Sequence, residues 1–252
     1  MPRILVTNDD GYFSPGIQAL AEALRPIGDV VIVAPQTEAS AVGHALTLRR
    51  PLRLEQVSAG VFAVDGTPTD CVNIAIAEVL KGTPDLVVSG INKGLNIGDD
   101  VTYSGTVAGA LEAALLGYPA IAVSLEFTTG IWDFAAAAAT AAGFSQALLA
   151  RPLPVRSFLN INVPQGRVKG TRVTVQAKRN HITKVNKRTD PRGRPYFWIE
   201  EAEDDWQADP QSDHQAIRDG YVSVTALQPD LTDHGALGRV EWLTQLAAAG
   251  VR

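Results

Sequence analysis

The chain has 252 residues, with 22 basic and 27 acidic side chains and a formal charge of −5. An apolar share of 46% against 19% charged excludes a disordered or fibrous chain, and the length suffices to bury a full core in one or two domains. Mild acidity without a dominant basic block argues against a stable nucleic-acid complex, and a lone cysteine, Cys71, excludes an internal disulfide framework or a multi-cysteine zinc site.

The first segment, Arg3 to Thr7, is a compact apolar run that stops at Asn8-Asp9-Asp10-Gly11, the pattern of a buried strand delivering polar residues at its C-terminal end. Ile17, Leu20 and Leu24 then fall at helical spacing. Pro26 and Gly28 end that helix before a second strand, Val30 to Ala34. Val61 to Val64 reads as a short strand, and Pro68 opens a helix carrying Cys71, Ile74, Ala75, Val79 and Leu80. Leu86 to Val88 is another buried strand, Thr106 to Leu116 an alanine-rich helix ending at Gly117, and Ala120 to Ser124 the next strand. Ala135 to Ala142, anchored by Phe134, Phe144 and Leu148, reads as a helix whose small side chains allow close approach to a sheet. This alternation predicts an α/β fold: a Rossmann-like three-layer core with a largely parallel sheet over residues 1–165.

Beyond Pro164 the composition changes. Residues 167–194 carry ten Lys or Arg, with Val173 and Val175 alternating with polar neighbours, which fits an extended hairpin arm at about 167–200 better than another buried unit. The acidic stretch from Glu200 to Asp219 can pair with it, within one molecule or between subunits. Tyr221 to Leu227 reads as a returning strand and Val240 to Ala249 as a closing amphipathic helix, so 166–252 forms a C-terminal extension packed on the core. No apolar stretch approaches the roughly 20 residues that span a membrane, and no charged segment leads into an apolar run near Met1, so the expectation is a cytoplasmic protein.

The chemistry concentrates at strand ends. Adjacent carboxylates at Asp9 and Asp10 just past a buried strand are costly unless neutralised, and a hard divalent cation such as Mg2+ or Mn2+ would neutralise them; a plain solvent-facing turn is the alternative. Ser40, after the second strand, and Asn92, in the loop from Ser89 to Asp100, offer neutral oxygens that a parallel sheet gathers along the same edge. Ser104-Gly105-Thr106 opens a helix and can present hydroxyls and unpaired N–H groups to a phosphate, or can simply cap it. His44 is a candidate for stabilising a leaving group or phosphate, with a structural histidine as the alternative. Cys71 reads as a small buried hydrophobe.

Together the blocks Ile4 to Gly11, Val33 to Pro35, Ser40 with Gly43-His44, Gly66 to Val72, Ser89 to Asp100, Ser104 to Thr106 and Leu159-Asn160-Ile161-Asn162-Val163-Pro164 resemble the SurE family of survival-protein phosphatases. The resemblance implies a divalent-metal-dependent hydrolase of nucleoside monophosphates, 5′ and also 3′, with a secondary activity on short polyphosphate. It implies one divalent ion per subunit on Asp9, Asp10, Ser40 and Asn92, phosphate-side residues Asn96, Ser104, Gly105 and Thr106, and a homo-dimer or homo-tetramer built through the C-terminal arm. The family pattern often has arginine immediately before the serine, where this chain has Ala39. Two rival chemistries remain: an Asp9 or Asp10 nucleophile forming a phosphoenzyme, and a metal-dependent nucleotide-binding protein without turnover.

Overall fold

A computed structural model describes residues 1–127, 130, 132–179, 184–200 and 206–244. Its main body is a nine-stranded sheet flanked by helices on both faces. The strands are β1 (Arg3–Thr7), β2 (Asp29–Pro35), β3 (Leu54–Ser58), β4 (Val61–Val64), β5 (Leu86–Lys93), β6 (Ala120–Leu125), β7 (Phe158–Val163), β8 (Thr171–Val173) and, later in the chain, β11 (Val222–Leu227). Their order is β3-β4-β2-β1-β5-β6-β7-β11-β8. The six strands from β4 to β7 in that order run parallel, whereas β3 and β11 pair antiparallel with their neighbours β4 and β7.

Period-two alternation sorts the side chains between two cores. Ile4 and Val6 face one side with Ile17, Leu20 and Leu24 of α1 (Pro15–Leu24) and Ala137, Ala141 and Leu148 of α4 (Ala135–Ala150). Leu5 faces the other, with Cys71 and Val72 of α2 (Pro68–Ile74) and Val107, Ala110 and Ala113 of α3 (Gly105–Leu115). A capping box between Thr67 and Asp70 starts α2. The helix expected to run from Pro68 to Leu80 changes to a π-turn at Ala75–Val79. Cys71 is fully buried, and burial pushes its thiol well up, as a small core hydrophobe requires.

Two differences from the sequence reading matter for the site. The strand expected to stop at Val88 continues to Lys93, because a bulge between Ser89 and Asn92 lets pairing resume at Asn92 with Ser124. At its centre Gly90 has φ +138°, and a Cβ there would lie 2.4 Å from the Val123 carbonyl oxygen, so only glycine fits. Further along, part of the basic segment joins the main sheet: β8 pairs parallel with β11. The rest forms a separate antiparallel hairpin, β9 (Lys184–Thr189) with β10 (Pro195–Glu200).

A short helix, α5 (Asp213–Arg218), precedes β11. Of the expected closing helix, the structure describes a turn at Leu237–Val240 (α6) and a 3-10 turn at Glu241–Leu243, both without buried residues; 245–249 lies outside the described residues. Among the described residues no helix is long and apolar enough to cross a membrane.

Candidate active site

After β1 the chain moves to β2 and β4 on one side, then crosses to β5 on the other. Ligands bind at such a switch point, outside the carboxyl ends of the strands. A cavity of about 410 Å3 opens there. It is lined by Asp9 and Asp10 after β1, Glu38, Ser40 and Ala41 after β2, Asn92 and Lys93 at the end of β5, and Leu95, Asn96, Asp100, Tyr103 and Ser104 beyond it.

The Asn-Asp-Asp-Gly turn divides its labour. Asn8 closes it, its amide donating to the Gly11 carbonyl at 3.0 Å while its oxygen accepts the Gly11 N–H at 3.2 Å. That leaves both aspartates for the cavity. Asp9 is only 5% exposed, and its carboxylate accepts the Thr106 hydroxyl and the Thr106 backbone N–H. The N-terminus of α3 therefore abuts Asp9, where the positive end of the helix dipole favours negative charge. Burial nevertheless wins and pushes the Asp9 carboxyl up to about 6, with the Asp10 charge adding to the rise. Burial raises Asp10 as well, with the Lys93 ammonium 3.8 Å away pulling downward. Gly105 makes the close approach possible, since a Cβ there would stand 2.7 Å from the Cβ of Asp9.

The other predicted residues arrive by different routes. The bulge in β5 delivers Asn92, whose amide nitrogen is engaged by an N–H donated to the Gly94 carbonyl at 3.0 Å, with the acceptor oxygen on the other arm of the amide. Ser40 is exposed, and its hydroxyl donates to Glu38 at 2.7 Å; next to it, the Ala39 N–H donates to the Asp9 carbonyl at 2.8 Å and ties the two loops together. Asn96 lines the cavity with its amide donating to Ser124 Oγ at 2.8 Å. Ser104 caps α3, accepting the Val107 N–H at 3.0 Å. His44 is not among the lining residues. Its ring sits 2.6 Å from Glu112, two turns along α3, and Asn73 holds the other Glu112 oxygen at 2.7 Å.

The sequence reading missed several groups. Lys93, Glu38, Asp100 and Tyr103 line the cavity, and Lys93 was detectable only from its adjacency to Asn92 on a strand paired with β1. Two buried asparagines of β7 clamp the Asn96 backbone: Asn160 and Asn162 donate to its carbonyl at 2.8 and 3.0 Å, and Asn162 accepts its N–H at 2.8 Å. Their signal was two polar residues two apart in an otherwise apolar strand, hence on one face. The C-terminal part holds the same loop from the far side. Asp213, fully buried, accepts the Gly98 N–H at 2.9 Å and the Ala177 N–H at 2.9 Å; Gln176 donates to the Gly98 carbonyl at 3.0 Å; and Arg179 pairs with Asp100.

Among the described residues no three His, Cys, Asp or Glu side chains cluster as a metal site. The donor set at this edge is of another kind, two carboxylates with neutral oxygens, and all of its atoms are hard. Four carboxylates line the cavity against one ammonium. A phosphate dianion entering this field is repelled unless a cation enters with it, so the set fits a divalent ion.

The chain is similar to known proteins over nearly its whole length. A family model described as "Survival protein SurE" matches residues 4–183. A "5'-nucleotidase SurE" of Syntrophotalea carbinolica is 52% identical over 231 residues, covering 91% of this chain and 92% of the relative. Another of that name from Geobacter metallireducens is 52% identical over 239 residues, covering 93% and 94%. The crystal structure of the SurE protein from Aquifex aeolicus superposes with a TM-score of 0.87 at 44% identity, covering 96% of this chain and all of that one. The fold, the acidic switch-point cavity and these likenesses agree, and the chain belongs to the SurE family.

Proposed function

We infer that the chain is a phosphomonoesterase of the SurE 5′-nucleotidase type, splitting nucleoside monophosphates into nucleoside and phosphate. The observation that carries this reading is the convergence of Asp9, Asp10 and Asn92 with the N-terminus of α3 on one cavity at the switch point. Asp9 and Asp10, with the side-chain oxygens of Asn92 and Ser40, would hold one divalent ion, Mg2+ or Mn2+. Such an ion supplies a Lewis acid for a phosphoryl oxygen and lowers the pKa of water bound to it. Thr106 fixes the orientation of the Asp9 carboxylate, and the Asn160 and Asn162 clamp fixes Asn96. Ser104, Asn96 and Lys93 line the cavity, and with the Gly105 N–H they would donate to phosphoryl oxygens as negative charge builds on them. Direct attack by water is preferred over a phosphoenzyme on Asp9, because the Asp9 carboxylate is buried and held by the Thr106 hydroxyl.

His44 has no part in this reading; its contact with Glu112 supports a role in joining the loop after β2 to α3. The exposed arm supports self-association into a dimer or tetramer, and a single cysteine, free and buried, suits a protein of the reducing cytoplasm. The test is phosphate release from a panel of 5′ and 3′ nucleoside monophosphates after dialysis against chelator, with Mg2+ or Mn2+ restored or withheld. Release that returns with metal is expected. Nucleotide binding without release under any metal would replace this reading with that of a binding protein.

A further inference from the structure

Among the described residues that line the acidic cavity, Lys93 carries the one positive charge, against Asp9, Asp10, Glu38 and Asp100. Asp100 has its own cation in Arg179, which leaves the ammonium to the other three carboxylates. It stands 3.8 Å from Asp10 Oδ1. At that distance the two groups attract as charges but share no hydrogen bond.

Asp10 is not oriented by this ammonium alone. The backbone N–H of Lys93, fixed at the end of β5, also favours the charged carboxylate, and the Ser14 hydroxyl donates to Oδ2 at 3.5 Å. The two ends of Lys93 therefore differ: its N–H belongs to the strand, whereas its ammonium rides on a flexible four-carbon stem and its side chain is 32% exposed. A partly hydrated ammonium with no hydrogen bond to break can change partner while Asp10 keeps its place.

We propose that Lys93 is an exchangeable counterion: it neutralises Asp10 in metal-free protein, yields that carboxylate to a divalent ion, and then pairs with the phosphate of the substrate. The proposal rests on the phosphomonoesterase reading, which brings a divalent ion and a phosphate to this cavity. Two cations on one carboxylate repel each other, so Lys93 and the ion compete for Asp10. A phosphate dianion facing Asp9, Asp10 and Glu38 is repelled unless positive charge is free to meet it, and a displaced ammonium is such a charge. One side chain thereby opposes metal binding and favours phosphate binding, and the two events are ordered, metal first.

The test uses Lys93→Met, which keeps the stem without the charge, Lys93→Gln as a second neutral variant, and Lys93→Arg, which keeps the charge. Chelator-stripped protein is titrated with Mn2+ in a calorimeter, and Mn2+-saturated protein is then titrated with inorganic phosphate. The neutral variants are expected to bind Mn2+ about fivefold tighter and phosphate about tenfold weaker, with KM for AMP rising in parallel. Lys93→Arg should stay within about twofold of wild type on both. The opposite signs are the signature, because a residue that merely supports the fold of the site weakens both affinities together when it is removed. Mn2+ binding that is unchanged or weaker in the neutral variants overturns the proposal, as does unchanged phosphate binding or a wild type that binds no Mn2+. If wild type binds both ions yet releases phosphate from no nucleotide, the phosphomonoesterase reading has failed, and the two titrations still decide whether Lys93 exchanges.

Discussion

Asp9 is the residue at which function and stability conflict. Its carboxyl, ordinary value 3.8, is pushed up to about 6 by burial, so in metal-free protein the folded state holds a proton that the unfolded state has already lost. Stability from this group is complete below pH 4 and declines as pH rises through 6, by about 3 kcal/mol in all. Thermal melts in chelator should therefore show wild type losing stability across that window and Asp9→Asn losing much less. The same variant should lose the stabilisation by added Mg2+ or Mn2+ and, on the proposed mechanism, phosphatase activity by a hundredfold or more, on the order expected when Lewis-acid assistance is removed. Thr106 makes a second residue-scale test. Thr106→Val strips the hydroxyl from a buried carboxylate, a loss of about 1–3 kcal/mol, and should lower both metal affinity and kcat, while Thr106→Ser retains them; calorimetric titration with Mn2+ checks the first and initial rates the second. The acid pair was legible in the sequence because turn chemistry is local. Its partner was not, because Thr106 lies 97 positions away and meets Asp9 only across the sheet edge.

At the scale of elements, the bulge in β5 decides what the end of that strand presents. A regular strand pairing with β6 from Ser89 onward would place Asn92 one residue out of register and turn its side chain to the opposite face. Gly90→Ala forces a Cβ against the Val123 carbonyl at a φ of +138°. We expect it to destabilise the protein by roughly 2–4 kcal/mol, as overpacking and left-handed strain combine, and to reduce activity even at temperatures where it remains folded; urea titration and rate assays on one preparation separate the two. The sequence reading stopped this strand at Val88 because Ser-Gly is a common strand terminator. Resumed pairing at Asn92 depends on β6, which no local pattern reports. Alanine-rich α4 is the opposite case: its identity and its close packing on the sheet followed from composition and anchors, while its full length and its contact with α1 came from the fold.

At the scale of the whole molecule, the extension beyond residue 165 does two jobs. Its inner part finishes the sheet through β8 and β11 and grips the Gly98–Asp100 loop through Asp213, Gln176 and Arg179. Its outer part, the β9–β10 hairpin, leaves Val185, Tyr196, Phe197, Trp198 and Ile199 exposed. A two-stranded hairpin is marginal in water, and these exposed apolar side chains are what the proposed self-association would cover. Phe197→Ser with Ile199→Ser should shift the protein toward monomer in light scattering during size exclusion. Unchanged mass would remove the arm from the proposed assembly.

The sequence by itself determined the alternation of strands and helices, the two-sided burial of β1, β2 and β5, and the delivery of paired carboxylates at the end of β1. Each of these is written in hydrophobic period or turn chemistry within about ten residues. Only the tertiary structure decided that Asn96 is clamped by β7, that Lys93 stands beside Asp10, and that His44 is drawn to Glu112 instead of the cavity. These contacts join segments tens of residues apart across a sheet whose strand order departs from chain order. Nothing in a local period encodes which loops that order will bring together.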